Sequence, residues 1–236
     1  GIDLNKSSVK RAICIGESLR TGDLKLNTLG KTISDSWKIK LYSTYASTEM
    51  QTAFAECSHG VGGHHHPELI IVELLDDANQ PIKPGETGEI TITTLGVEGM
   101  PLIRYKTGDI AQADDSPCIC GRNTLRLGPV IGRQQQMIKL KGTTIYPPGI
   151  FDILNQFRAI QDYVVEAYTG PLGVDELRVH LYVDNNNVEI ETIVSNAFQS
   201  RLRVRPSFEI VTAAELENLQ HTGKSRKVKK FIDNRK

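Results

Sequence analysis

Residues 132–142 read Gly132-Arg133-Gln134-Gln135-Gln136-Met137-Ile138-Lys139-Leu140-Lys141-Gly142, and the chain changes its pattern across this stretch. Behind it, from Glu68 to Ile110, short runs of strand formers (LIIVELL, GEITITT, LIRYKTGDIA) alternate with turn clusters such as DDANQPIKPGETG. Ahead of it a hairpin (MIKLKGTTIY) leads to a helix opened by Pro147-Pro148. Then come the strands YVVEAYT and LRVHLYV, a helix over 188–203 and a strand SFEIV. Helices alternating with antiparallel strands point to a compact α+β domain. We therefore expect a boundary here, with residues 1–133 in one domain and 134–236 in another.

Residues 1–133 divide again. In the segment 1–66 a strand from Val9 to Ile15 precedes a loop at Gly16-Glu17-Ser18. An amphipathic helix from Leu24 to Ile33 and a strand from Ile39 to Tyr45 follow, an α/β rhythm whose first strand needs neighbours. The segment 67–133 reads as a small β-barrel-like subdomain. The fold class is thus α/β plus α+β, and 236 residues suffice for two domains with real cores.

Composition is that of an ordinary folded protein. The 28 basic and 28 acidic side chains cancel, and hydrophobics make up 39%. The balance is uneven: ten Lys/Arg face four Asp/Glu between Arg201 and Lys236. That basic tail is either a solvated face or an anion contact. No run approaches the roughly 20 apolar residues of a membrane span, and GIDLNKSSVKR lacks a signal peptide's apolar centre. A cytoplasmic location with no membrane partner is expected, and four cysteines in such a chain suit thiols or metal ligands better than disulfides.

Cys118-Ile119-Cys120, with Cys57 and a histidine from a distant loop, would give zinc a closed tetrahedral set with no open position, a structural Zn²⁺ site. His59, His64, His65 and His66 all compete for the fourth place. Free thiols are the alternative. Cys14, alone in an apolar strand, reads as a core residue.

Four further segments fall in a fixed order: Tyr45-Ala46-Ser47-Thr48-Glu49, Arg104-Tyr105-Lys106-Thr107-Gly108-Asp109, Gly132-Arg133 with the glutamines after it, and His221-Thr222-Gly223-Lys224-Ser225-Arg226. Together they resemble the nucleotide-binding motifs of AMP-forming adenylating enzymes of the phenylacetate-CoA ligase family, within the acyl-CoA synthetase superfamily. The resemblance covers almost all of this chain and about the second half of a full ligase. It implies the end of a large adenylating N-terminal domain followed by a mobile C-terminal domain. The family's Ser/Thr/Gly-rich loop for the outer phosphates has no match in these residues, so catalysis by the isolated chain is not expected.

By that resemblance Tyr45 stacks on adenine, Thr48 meets the α-phosphate and Glu49 holds Mg²⁺. Gly16, Glu17 and Ser18 lie along the adenine edge. Asp109 accepts from the ribose hydroxyls, a match of two acceptor oxygens to a vicinal diol, and Arg133 supplies a cation toward ribose and phosphate. Gln135 occupies the hinge pivot, where relatives commonly carry aspartate or lysine, and Ala46 stands where they carry glycine. Gly142 lets backbone approach CoA's pantetheine, with a plain hairpin glycine as the alternative. Lys224 is the expected catalytic lysine, bridging carboxylate and α-phosphate. In a branch of the same family, Gly-x-His and Cys-x-Cys-Gly-Arg fall at Gly62/His64 and Cys118–Arg122, which favours His64 as the zinc ligand.

The implied activity is ATP-dependent formation of an acyl-adenylate and then an acyl-CoA thioester from an aromatic carboxylic acid. ATP/AMP, CoA, Mg²⁺ and structural Zn²⁺ are the cofactors, and a homodimer stays open. The alternative is a zinc-stabilised binding module whose basic tail meets an anionic partner. Nucleic acid is disfavoured as that partner, since the tail lacks aromatic-basic interleaving.

Overall fold

The computed structural model describes residues 3–83, 85–140, 142–184, 189–221 and 228–235. The chain divides into two compact units, Gly1–Gln135 and Gln136–Lys236. Among the described residues no helix is long and apolar enough to cross a membrane.

Unit 1 is built on one nine-stranded sheet. Its strands in chain order are β1 (Arg11–Ile15), β2 (Lys40–Ala46), β3 (Ala53–Glu56), β4 (Gly63–His64), β5 (Ile70–Leu75), β6 (Thr87–Thr94), β7 (Tyr105–Asp114), β8 (Arg126–Leu127) and β9 (Gly132–Arg133). Helix α1 (Thr28–Trp37) carries the chain from β1 to β2, which therefore pair in parallel. The other ladders are antiparallel, in the order β1-β2-β3-β4-β8-β7-β6-β5, with β9 added to β7.

This topology corrects the barrel-like subdomain expected over 67–133. The path is open, with β1 and β5 at its two ends, and the strands of that segment continue into those of 1–66 through β4 and β8. The expected helix from Leu24 is also corrected. Asn27 caps the helix by accepting from the Gly30 N–H at 2.9 Å, so α1 begins at Thr28. Leu24 is left in a left-handed turn, φ 64°. Gly30 sits inside the helix because a Cβ there would come within 2.7 Å of the Leu19 carbonyl oxygen.

Two apolar clusters hold this unit. Leu19, Ile39 and Leu41 pack with Trp37 under α1. Met50, Phe54, Ile70, Leu74, Ile90, Ile92, Ala111 and Leu127 form the larger core, and Tyr45 packs against it.

Unit 2 begins with a hairpin, β10 (Ile138–Leu140) and β11 (Thr143–Ile145), then α2 (Pro147–Leu154), whose two prolines occupy its first positions. The strands β12 (Ile160–Thr169) and β13 (Asp175–Val183) form a long hairpin. They are followed by α3 (Ile190–Leu202), β14 (Ser207–Ile210), α4 (Ala213–Gln220) and β15 (Phe231–Asn234). The sheet order is β14-β13-β12-β15.

Within this sheet only β12 and β13 pair antiparallel. A helix precedes each of the outer strands, and β14 and β15 pair in parallel with β13 and β12, so the expected antiparallel sheet is in fact mixed. Ile150, Ile153, Val165, Val179, Leu181, Val194 and Phe198 fill the space beneath the helices. Arg235 closes this unit on itself, donating to the Met137 carbonyl at 2.7 Å and pairing with Asp175 and Asp233.

Candidate functional site

Three strands of unit 1 bring Tyr45, Asp109 and Arg133 together. Tyr45 lies near the end of β2, and its hydroxyl donates to Asp109 Oδ2 at 2.9 Å. β9 pairs with β7 in a register that sets Arg133 opposite Asp109, and Arg133 Nε donates to Asp109 Oδ1 at 3.1 Å. One carboxylate thus joins a phenol and a guanidinium. Burial raises the Tyr45 pKa, so its hydroxyl stays a neutral donor. Thr107 steadies the carboxylate's own backbone: its hydroxyl donates to the Ile90 carbonyl at 2.9 Å and accepts from the Asp109 N–H at 3.1 Å. The Asp109 side chain is largely buried, whereas Arg133 is 65% exposed and open to a ligand.

After β2 the chain makes a turn at 48–50 directly into β3. Met50, 1% exposed, anchors that turn in the core, and Thr48 stands exposed at its tip. Glu49 is held below its usual carboxylate range by its own backbone N–H, then by the Ser47 hydroxyl, with the Arg133 charge adding to both. An ionised oxygen donor therefore stands within electrostatic reach of the Tyr45–Asp109–Arg133 group, as a hard cation requires.

A second cluster joins β3, β4 and the loop before β8. The ligand atoms of Cys57, His64, Cys118 and Cys120 all lie within 4.8 Å of one another. Zinc bonds of about 2.3 Å to sulfur and about 2.0 Å to nitrogen, at tetrahedral angles, set edges of about 3.8 Å between sulfurs and about 3.5 Å between sulfur and nitrogen. Cys57 Sγ and Cys118 Sγ are 3.8 Å apart, and Cys120 Sγ and His64 Nε2 are 3.5 Å apart. Two of the four ligands lean toward their metal-binding forms, whereas burial pushes the Cys57 thiol up, so that a metal would displace its proton. The backbone N–H of Arg122, and then its side chain, bring the Cys120 thiol down to about 7, while burial followed by the charges of Arg122 and Arg126 keeps His64 neutral. With Nε2 turned inward, His64 Nδ1 faces the Thr124 hydroxyl at 3.3 Å, an outer contact that orients the ring. His65 faces the Ile70 carbonyl at 2.6 Å, His66 lies 3.4 Å from Glu68, and neither belongs to the cluster.

No protein-family model matches the chain. It is 32% identical over 123 residues to the phenylacetate-coenzyme A ligase of Thermus thermophilus, covering 51% of this chain and 28% of that protein. It is 26% identical over 157 residues to the enzyme of the same name from Escherichia coli, covering 66% and 34%. The chain is similar in sequence to phenylacetate-CoA ligases. In fold the chain is similar to a 2-hydroxyisobutyryl-CoA ligase in the postadenylation state, with a TM-score of 0.77 at 22% identity, over 99% of this chain and 50% of that one. A benzoate CoA ligase from Burkholderia xenovorans matches with a TM-score of 0.64 at 18% identity, over 97% and 45%. The chain therefore spans about half the length of these solved ligases, and the matches take in 28% and 34% of the two curated ones.

The remaining expected site residues are more scattered. Gly16, Glu17 and Ser18 turn away from β1, Gly16 at φ 92° and Ser18 donating to the Arg20 carbonyl at 3.0 Å. No hydrogen bond among the described residues joins them to Tyr45, Asp109 or Arg133. Gln135 lies in a short 3-10 turn, Gln134–Gln136, at the last position of unit 1. Gly142 sits in the β10–β11 hairpin at φ 80°, a conformation that the turn itself requires of glycine. Lys224 lies outside the described residues.

The sequence motifs contain Thr107 and Arg122 without assigning them a role, and they do not contain Thr124. For Thr107 a signal exists, since a Thr two residues before an Asp marks a local turn. Arg122 closes the Cys-x-Cys-Gly-Arg motif, whereas Thr124, the outer contact of His64, carries no such signal.

Proposed function

We propose that this chain forms the nucleotide-contacting and thioester-forming part of an AMP-forming ligase that joins an aromatic carboxylic acid to CoA. In the first step the acid's carboxylate attacks the α-phosphate of ATP and pyrophosphate leaves. In the second, the CoA thiol attacks the acyl carbonyl and AMP leaves. The observation that carries this reading is the convergence of Tyr45, Asp109 and Arg133, from strands far apart in sequence, on one carboxylate.

In this reading Asp109 accepts from the ribose hydroxyls and Arg133 reaches toward ribose and phosphate. Tyr45 offers its ring to adenine, and Thr48 and Glu49 serve the α-phosphate and Mg²⁺. Gly16, Glu17 and Ser18 lie along the adenine edge, Lys224 acts in the first step, Gly142 lines the CoA path and unit 2 pivots at Gln135. Solved ligases of this fold are complexed with acyl-AMP and, in an open conformation, with CoA as well, which supports both as ligands. The sulfur and nitrogen spacing of Cys57, His64, Cys118 and Cys120 supports a structural zinc.

Among the described residues, at least three of the basic tail's ten Lys/Arg side chains are engaged. Arg201, Lys230 and Arg235 pair with Asp152, Asp162 and the Asp175/Asp233 couple within their own unit.

AMP is expected to raise the melting temperature of this chain, because a ligand that binds only the folded state stabilises it. Asp109→Ala removes a charged acceptor from two hydrogen bonds to the ligand, worth about 3 kcal/mol together, so AMP affinity should fall roughly a hundredfold. Calorimetric titration with AMP checks this. Undiminished affinity in Asp109→Ala would refute the ribose assignment.

A further inference from the structure

Two residues, Phe54 and His65, link the metal-ligand cluster to the Tyr45–Asp109–Arg133 group. Phe54 is in register with Tyr45 across β2 and β3, and their ring centroids are 6.0 Å apart. On its other side the Phe54 ring stacks on His65, with centroids 5.9 Å apart and planes 16° from parallel. His65 follows the ligand His64 directly, and Cys57 follows the last residue of β3.

The backbones leave little play. β3 pairs with β4 at Ala55 and His64 and at Glu56 and Gly63, and a Cβ on Gly63 would strike the Phe54 carbonyl oxygen. Phe54 is 1% exposed within the larger core. Packing this dense transmits displacement, because close-packed interiors have few voids to absorb it.

We propose that metal bound by Cys57, His64, Cys118 and Cys120 holds Phe54 in place and through it aims the Tyr45 hydroxyl at Asp109, so that metal binding and nucleotide binding reinforce each other. This inference rests on the nucleotide and zinc readings given above. Phe54 and His65 act in it as positioning residues, touching neither metal nor nucleotide. The cluster then tunes the nucleotide site as well as stapling the sheet, and the coupling must be equal in both directions.

The test is calorimetric titration of AMP into the 236-residue chain carrying one equivalent of zinc and into the same chain stripped by a chelator, with circular dichroism following the fold. AMP affinity is expected to fall about tenfold on stripping, within the range of typical coupling energies. Saturating AMP should tighten zinc binding by the same factor when zinc is measured against a chelating dye. A purely structural metal in a chain that stays folded would leave zinc affinity indifferent to AMP.

Phe54→Leu, which keeps all four ligands, should retain one zinc yet weaken AMP binding by a similar factor. Equal AMP affinity in the loaded and the stripped folded chain overturns the proposal. Where stripping unfolds unit 1, an unchanged AMP affinity in zinc-loaded Phe54→Leu overturns it instead. Failure of the zinc-loaded chain to bind AMP at all overturns the nucleotide reading on which the coupling rests, and a chain that takes up no zinc overturns the metal reading.

Discussion

In a ligase of full family length carrying these residues, Lys224→Ala will reduce pyrophosphate release at least a hundredfold while leaving acyl-CoA formation from supplied acyl-adenylate close to the parental rate. The asymmetry follows from charge. Adenylation drives a carboxylate against a phosphate, two anions whose approach must be compensated, and losing one preorganised cationic or hydrogen-bond donor at such a centre typically costs about 10²–10³ in rate. Thiol attack on the adenylate brings no second anion to the phosphate, so the same ammonium is idle there. Lys224→Arg is expected to rescue little, since a planar guanidinium does not replace a compact ammonium between two oxygens. Measuring pyrophosphate release and thioester formation separately checks both halves. Normal pyrophosphate release by Lys224→Ala would end the assignment.

The second large effect concerns stability. Cys118→Ser is expected to lose the metal and lower the melting temperature of unit 1 while leaving unit 2 unchanged. Cys118 is 5% exposed and joins a loop to β3 and β4 through its neighbours in the cluster. A ligand present at about a thousand times its dissociation constant contributes about 4 kcal/mol to stability. For a unit of this size that corresponds to a fall of roughly 15 °C. Differential scanning calorimetry with metal analysis of both proteins checks it. An unshifted first transition, or parental zinc content in the variant, would contradict the site. Ser is the informative replacement because its hydroxyl keeps the volume but is a poor zinc ligand at neutral pH.

Much of this was legible in the sequence, and the reasons differ by element. Strands β5, β6 and β7 announce themselves as apolar runs between turn clusters, and α2 by its paired prolines. The strands that assemble the candidate sites did not. β4, β8 and β9 are two residues each, too short to show a period, yet the register of β9 on β7 is what sets Arg133 against Asp109. Sequence order suggested that these residues act together, but only strand pairing says which atoms meet. Among four neighbouring histidines the Gly-x-His spacing already favours His64, and the geometry agrees: His64 Nε2 lies 3.5 Å from Cys120 Sγ, while His65 faces the Ile70 carbonyl. The barrel-like expectation failed because local strand patterns do not reveal where a sheet's edges lie, and the capping box that opens α4, Thr212 with Glu215, was overlooked.

The join between β4 and β8 has a consequence for the order of events when the chain folds. Gly63 pairs with Leu127 and His64 with Arg126, and this ladder links the β1–β3 side of the sheet to the β5–β7 side. Its partners are far apart in sequence, while the β2–β3 and β5–β6 hairpins on either side close over short loops. Short loops close first, so the β4–β8 seam forms late. A metal gripped by Cys57 and His64 on one side of that seam and by Cys118 and Cys120 on the other is then absent from the transition state. It works as a latch set after the crossing: zinc should leave the refolding rate of unit 1 almost untouched and slow its unfolding.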